Sequence, residues 1–120
     1  MASIAAKRVL IVEDNGLIGE VIADTIAEAG GCPIGPVLTE GEALDLIDYN
    51  GEAPDAAVLD VNLDGTSFHV AERLRELGVP FIFATGNPRA IPDTFHATPI
   101  CEKPYTARSL LSALETALAH

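Results

Sequence analysis

The chain has 120 residues, 48% of them apolar, which is enough for one domain with a proper core. Positive mean hydropathy excludes a disordered chain, and no apolar run approaches the ~20 residues of a membrane-spanning helix. Acidic residues outnumber basic ones 18 to 7, for a net charge of −11; this argues against nucleic acid, whose binding needs Lys and Arg at phosphates, and suits a divalent cation or a basic protein partner.

The first seven residues, Met1 to Lys7, lack the apolar core of a signal peptide, so a cytoplasmic protein is expected. Arg8-Val9-Leu10-Ile11-Val12 reads as a strand buried on both faces, and it runs straight into Glu13-Asp14. Asn15 suits the N-cap of a helix. Ile18, Val21, Ile22, Ile26 and Ala29 mark that helix's apolar face, closed by Gly30-Gly31. Cys32-Pro33-Ile34-Gly35-Pro36-Val37-Leu38 carries two prolines and fits only an edge strand. Thr39-Glu40-Gly41-Glu42 has capping-box spacing and opens a helix through Ala43, Leu44 and Ile47 that stops at Asn50-Gly51.

Ala56-Ala57-Val58-Leu59-Asp60-Val61-Asn62-Leu63-Asp64-Gly65 is the stretch around which the rest is organised. An apolar run there ends abruptly in a carboxylate, Asp60, and a turn follows. Val70, Leu74 and Leu77 then give a helix ending at Gly78. Pro80-Phe81-Ile82-Phe83-Ala84 is a fourth strand, ending at Thr85-Gly86. Beyond it Asn87-Pro88 suits an N-cap and first helical position, but Pro92 interrupts anything longer than a turn, so a short or mobile helix is expected. Thr98-Pro99-Ile100-Cys101-Glu102 is a brief fifth strand that leads to Lys103-Pro104. A last helix starts near Thr106 with Leu110, Leu111, Leu114 and Leu118 facing inward.

Strands and helices alternate five times, which predicts an α/β fold: a doubly wound, five-stranded parallel sheet covered on both faces. With the proline-bearing second strand at one edge, the order is 2-1-3-4-5, the flavodoxin-like (βα)5 arrangement. Strands 1 and 3 are then neighbours at the switch point, where ligands bind, and Glu13, Asp14 and Asp60 meet there. The two cysteines, Cys32 and Cys101, fall on opposite edges. Four strand spacings of ~4.8 Å separate them by about 19 Å, far beyond disulfide reach, so both are expected as reduced thiols with no zinc role.

Three converging carboxylates repel one another and raise each other's pKa. A hard divalent cation with oxygen ligands, Mg²⁺ above all, removes that conflict. Lys103 and Thr85 end strands 5 and 4 at the same sheet edge. A cation, an ammonium and a hydroxyl around a carboxylate nucleophile make a site for a transferred phosphoryl group. Asp60 is the nucleophile in that arrangement, and its product is an acyl phosphate.

These residues resemble the response-regulator receiver domain of two-component signalling over essentially the whole chain: Glu13-Asp14 after strand 1, Asp60 after strand 3, Thr85 after strand 4 and Lys103-Pro104 after strand 5. The resemblance implies Asp60 as phosphoacceptor, with Thr85 and Lys103 completing the catalytic set. It implies Asp14, Asp60 and the Asn62 carbonyl as direct Mg²⁺ ligands, with Glu13 acting through a metal-bound water, and a cis Lys103-Pro104 bond. It also implies a sensor histidine kinase as phosphoryl donor, with a histidine phosphotransfer protein or a downstream regulator as the next partner, and output through the fourth helix, fifth strand and fifth helix. The expectation is a single receiver domain over residues 1–120, with no output domain, that is a signalling phosphoacceptor and not an enzyme of general turnover.

Two departures bear on output. Most receivers carry Phe or Tyr three residues before the lysine; here Ile100 stands there, so the usual aromatic switch is missing. Phe81-Ile82-Phe83-Ala84-Thr85-Gly86 is similar to the alphaproteobacterial subgroup known for a Phe-Ala-Thr-Gly-Tyr motif, although Asn87 replaces the tyrosine. The missing ring motivates an alternative, a phosphorylation-independent binding module or phosphate sink. Leu63-Asp64-Gly65-Thr66 resembles a box of haloacid-dehalogenase-type phosphatases, but the nucleophile register falls on Asn62, which forms no acyl phosphate. His69, on the third helix, is expected as a solvated surface histidine, and His96 and His120 likewise have no partner that suggests a ligand or phosphohistidine site.

Overall fold

A computed structural model describes residues 3–49, 53–63 and 65–119. The apolar runs form strands β1 (Arg8–Val12), β2 (Cys32–Val37), β3 (Ala56–Leu59), β4 (Phe81–Thr85) and β5 (Ile100–Glu102). Helices α1 (Gly16–Glu28), α2 (Glu40–Asp48) and α3 (Phe68–Glu76) connect them, and α4 (Ala107–Leu118) follows β5. The strands pair in parallel in the order β2-β1-β3-β4-β5, as expected.

Successive side chains of a strand point to opposite faces, and the central strands use both. Leu10, Val12, Ala57, Leu59, Phe81 and Phe83 pack with Ala43 and Ile47 of α2 and Val70 and Leu74 of α3. Val9, Ile11, Ala56, Val58, Ile82 and Ala84 pack with Ile22 and Ile26 of α1 and Leu110 and Leu114 of α4. Hence these strands read as unbroken apolar runs.

β2 is the edge strand its prolines require. Its register against β1 shifts between Leu10 and Val12, beside Gly35 at φ +102°. A Cβ on Gly35 would meet Val37 N at 2.6 Å and Ile11 O at 2.9 Å, so only glycine fits. Cys32 on β2 is exposed and Cys101 on β5 is buried, and both are free thiols.

Asn15 caps α1, its side chain accepting from Leu17 N–H and Ile18 N–H. Thr106 and Ser109 form a reciprocal capping box at the start of α4. At α2 only half of the expected box forms: Thr39 Oγ1 accepts from Glu42 N–H at 3.1 Å, while the Glu42 carboxylate returns to the Thr39 hydroxyl and not to its backbone. The expected stop of α2 at Asn50-Gly51 lies outside the described residues.

Two expected inward residues face solvent. Val21 is 61% exposed and Leu77 40% exposed. The buried stripe of α1 is narrower than its apolar stripe, centred on Gly19, Ile22 and Ile26, and Leu77 is already the C-cap of α3. The short helix expected between β4 and β5 is a single 3₁₀ turn, Pro88–Ala90, with Asn87 at its N-cap position, and a second 3₁₀ turn, Asp93–Phe95, follows it. Pro88 can open a turn and Pro92 ends it, so the backbone never accumulates the ladder an α-helix needs. Phe95 is nonetheless buried, its ring 5.4–6.1 Å from those of Phe68, Phe81 and Phe83. Arg75 stacks on its outer side at 4.2 Å and donates to Thr94 O at 2.7 Å. Among the described residues, no helix is long and apolar enough to cross a membrane.

Candidate functional site: an acidic cluster at the strand tips

Val12 of β1 lies beside Leu59 of β3, so the residues that follow them emerge side by side. Asp60 N–H donates to Val12 O at 2.9 Å and Glu13 N–H to Val37 O at 3.0 Å, which extends the sheet's hydrogen bonding to the carboxylates themselves. One carboxylate oxygen from each of Glu13, Asp14 and Asp60 lies within 4.8 Å of the other two. Glu13 and Asp60 are buried, at 1% and 5% exposure, and Asp14 faces solvent.

Two of the loops that leave these strands donate to the carboxylates. Asn15 N–H reaches Glu13 Oε2 at 3.2 Å, and Asn62 N–H reaches Asp60 Oδ1 at 3.2 Å. From β5, Lys103 Nζ donates to Glu13 Oε1 at 2.9 Å and to Asp60 Oδ2 at 3.4 Å. Its own N–H donates to Thr85 O at 2.8 Å, tying the lysine to the end of β4, and the Lys103-Pro104 bond is cis, as expected. Thr85 is buried, and its Oγ1 accepts from Asn87 N–H at 2.9 Å. That bond uses a lone pair and leaves the hydroxyl proton to donate.

Burial first, and then Asp60 beside it, pushes the Glu13 carboxyl up to about 7, against the opposing pull of Lys103 and the Asn15 amide. Desolvation of Lys103 works against its charge, but its bond to Glu13 and the charge of Asp60 outweigh that and leave its pKa raised. The two shifts have different causes: burial and the neighbouring carboxylate raise Glu13, while the two carboxylates it bonds raise Lys103. The lysine stays charged, and one surplus negative charge is disfavoured. An all-oxygen donor set with excess negative charge and one solvent-facing member suits Mg²⁺ or another hard divalent ion.

The expected residues Glu13, Asp14, Asp60 and Lys103 therefore meet, Asn62 joins through its amide, and Thr85 joins through the backbone of Lys103. Tyr105 was missed. Its hydroxyl is buried with no hydrogen-bond partner among the described residues, and burial first, then the charges of Glu13, Cys101 and Asp60, pushes it up to about 12. Its place immediately after Lys103-Pro104 was the available signal. Tyr105 also lines an open apolar groove of ≈ 520 Å³ with Leu17, Ile18, Val21, Lys103 and Pro104, beside the acidic cluster. His69 is exposed, as expected, and its Nδ1 lies 3.1 Å from Glu40 Oε1. The His96 ring is within hydrogen-bond distance of Asp93 O of its own turn, at 3.0 Å, and His120 lies outside the described residues.

No family model matches the chain, and no curated protein matches it by sequence. Solved structures do. A CheY-like response-regulator receiver domain from Methylobacillus flagellatus, 22% identical, covers 94% of this chain and 99% of its own at a TM-score of 0.78, which shows the fold. SdrG from Sphingomonas melonis Fr1 is 37% identical in its solution structure, over 95% of this chain and 97% of that one, at a TM-score of 0.82. The chain belongs to the receiver-domain family. A second solution structure of SdrG, in its BeF3-activated conformation and with its source given as Pseudomonas melonis Fr1, matches at 38% identity over 95% and 98% of the two chains, with a TM-score of 0.78. Receivers are signalling domains that imply a kinase partner, and in this one the acidic cluster sits at the strand tips where the fold places its ligand.

Proposed function

We propose that this receiver accepts a phosphoryl group on Asp60 from the phosphohistidine of a sensor histidine kinase, with Mg²⁺ held by Asp14, Asp60 and the Asn62 carbonyl and, through water, by Glu13. The convergence of three carboxylates and Lys103 on one point carries the reading. An Asp60 carboxylate oxygen attacks phosphorus, the P–N bond breaks, and the donor imidazole leaves with the electron pair and takes up a proton from solvent. Lys103 and the Thr85 hydroxyl stabilise the charge on the phosphoryl oxygens. Bound Mg²⁺ supplies further neutralisation of that charge.

The apolar groove of Leu17, Ile18, Val21, Pro104 and Tyr105 borders the cluster, so a kinase helix seated there brings its histidine to Asp60. Phosphoryl transfer onward to a histidine phosphotransfer protein uses the same face, and a downstream regulator reads the phosphorylated form. We assign the chain to a single receiver domain, working in the cytoplasm as a phosphoacceptor and not as a turnover enzyme. Phe83-Ala84-Thr85-Gly86 and the likeness to SdrG support membership of the alphaproteobacterial Phe-Ala-Thr-Gly-Tyr subgroup.

Acetyl phosphate with Mg²⁺ tests this directly. Intact mass should gain one phosphoryl group in the wild type and none in Asp60→Ala. An adduct that survives the substitution, or never forms in the wild type, removes Asp60 as acceptor. Ile100, 43% exposed on β5 where an aromatic switch is usual, favours the phosphorylation-independent module as second reading. In that case partner affinity is the same for wild type and Asp60→Ala.

A further inference from the structure

Helix α3 begins without a cap of its own. Ser67 stands at the N-cap, but its side chain makes no cap bond, and its hydroxyl is buried without a hydrogen-bond partner among the described residues. The first-turn amides go instead to a residue of α2. Glu40 Oε2 accepts from His69 N–H at 3.0 Å and from Val70 N–H at 3.4 Å, while Oε1 lies 3.1 Å from His69 Nδ1. A carboxylate in that place also meets the positive end of the helix dipole. At the other end of the same two helices, Arg73 Nε donates to Asp48 Oδ1 at 2.9 Å. Glu40 and Asp48 thus fix where α3 starts and how it lies.

Residues 60–67 join β3 to α3 and carry both Asp60 and Asn62. The sheet holds the first end, through Asp60 N–H to Val12 O. The second end is set by the first turn of α3, next to the buried Leu63 and Ser67. Ser67 and Glu40 compete for the same amides, and a serine cap needs extended backbone, whereas Ser67 sits at φ −105°, ψ 12°. Without Glu40, Ser67 would turn to cap the helix. That rotation carries Thr66 with it, and Thr66 pairs with Asn62 in the short antiparallel ladder of the loop. Asn62 and its carbonyl would therefore move.

We infer that Glu40 is a positioning residue for the phosphorylation site, an external helix cap that, through Ser67 and Thr66, holds Asn62 in place for ion binding. The inference rests on the proposed role of Asp60 and Asn62 in holding Mg²⁺. It assigns Glu40 no contact with the ion or the phosphoryl group.

The test is Mg²⁺ titration of the full chain, followed by calorimetry and by backbone amide shifts of residues 60–67. Glu40→Ala should weaken Mg²⁺ binding about three- to tenfold, the scale of a lost helix cap. Glu40→Gln, whose amide oxygen still accepts from the helix, should recover most of the affinity, and Ser67→Ala should bind as the wild type does. Glu40→Asp keeps the charge but shortens the reach; it should weaken binding by a smaller factor and serves if the alanine variant does not fold. In acetyl phosphate labelling, the half-saturating Mg²⁺ concentration should rise in step with the Kd while the rate at saturation stays within about twofold of wild type. A cap that serves stability alone would lower the melting temperature and leave half-saturation where it was. Glu40→Ala and Glu40→Asp binding Mg²⁺ as tightly as the wild type, with unshifted loop amides, overturn the inference alone. A wild type that takes up no Mg²⁺ overturns both this inference and the function on which it rests.

Discussion

Lys103 Nζ lies 2.9 Å from Glu13 Oε1, across 90 residues of chain, and the same ammonium reaches Asp60 Oδ2 at 3.4 Å. The lysine starts from the end of β5 and passes over the tips of β4 and β3 to the end of β1. Among the described residues it is the one cation bonded to two buried carboxylates, and it ties Glu13 to Asp60.

Lys103→Met removes that cation and leaves Glu13 and Asp60 facing each other. Breaking a buried pair costs ~3–5 kcal/mol, but Lys103 is partly solvated and the cluster opens to water, so about 1–3 kcal/mol is expected at pH 8. Added Mg²⁺ should restore part of the loss, because it replaces the missing charge. Urea denaturation with and without Mg²⁺ reads both effects. An equal loss in both conditions would separate the lysine from the ion site.

Glu13 gives stability a pH dependence of defined sign. Its carboxyl rises from the ordinary 4.5 to about 7 on folding, chiefly by burial. The native state therefore holds the proton more tightly than the unfolded chain, and stability falls as pH rises from about 4.5 to about 7. The Lys103 contribution has the raised-base sign, present below its ordinary value and lost only as pH rises through its folded value. Glu13→Gln should flatten the slope between pH 5 and 8 in metal-free buffer. Denaturation midpoints across that range check this, and a mutant as steep as the wild type counts against it.

Phe95 anchors the segment between β4 and β5. Removing its ring empties the space among Phe68, Phe81 and Phe83 and strips Arg75 of its stacking partner. Phe95→Ala should cost about 3–5 kcal/mol, and hydrogen exchange should accelerate in residues 87–98 while α1 keeps its protection. Uniform acceleration over the whole chain would show that the anchor is not local.

Gly19 is where α1 touches the edge strand. A Cβ there would stand 2.5 Å from Pro36 Cβ and 2.6 Å from its Cγ. A proline ring has little freedom to give way, so Gly19→Ala should destabilise by about 1–3 kcal/mol despite the better helix propensity of alanine. A thermal melt that moves upward would mean that α1 can slide off β2.

The sequence by itself determined the strand runs, their parallel order, the edge position of β2 and the acids and lysine at the strand tips. Each of these rests on local or periodic chemistry: strands buried on both faces need unbroken apolar runs, proline cannot donate to an inner ladder, and a carboxylate closing such a run has few reasons to be there. Only the tertiary structure decided that Val21 and Leu77 face solvent, that the segment after β4 makes two 3₁₀ turns pinned by Phe95, and that α3 is capped by Glu40 and not by its own Ser67. Those outcomes turn on which side chain from a distant element arrives first at a given amide, ring or surface. Distances between elements set that, and no spacing along the chain encodes them.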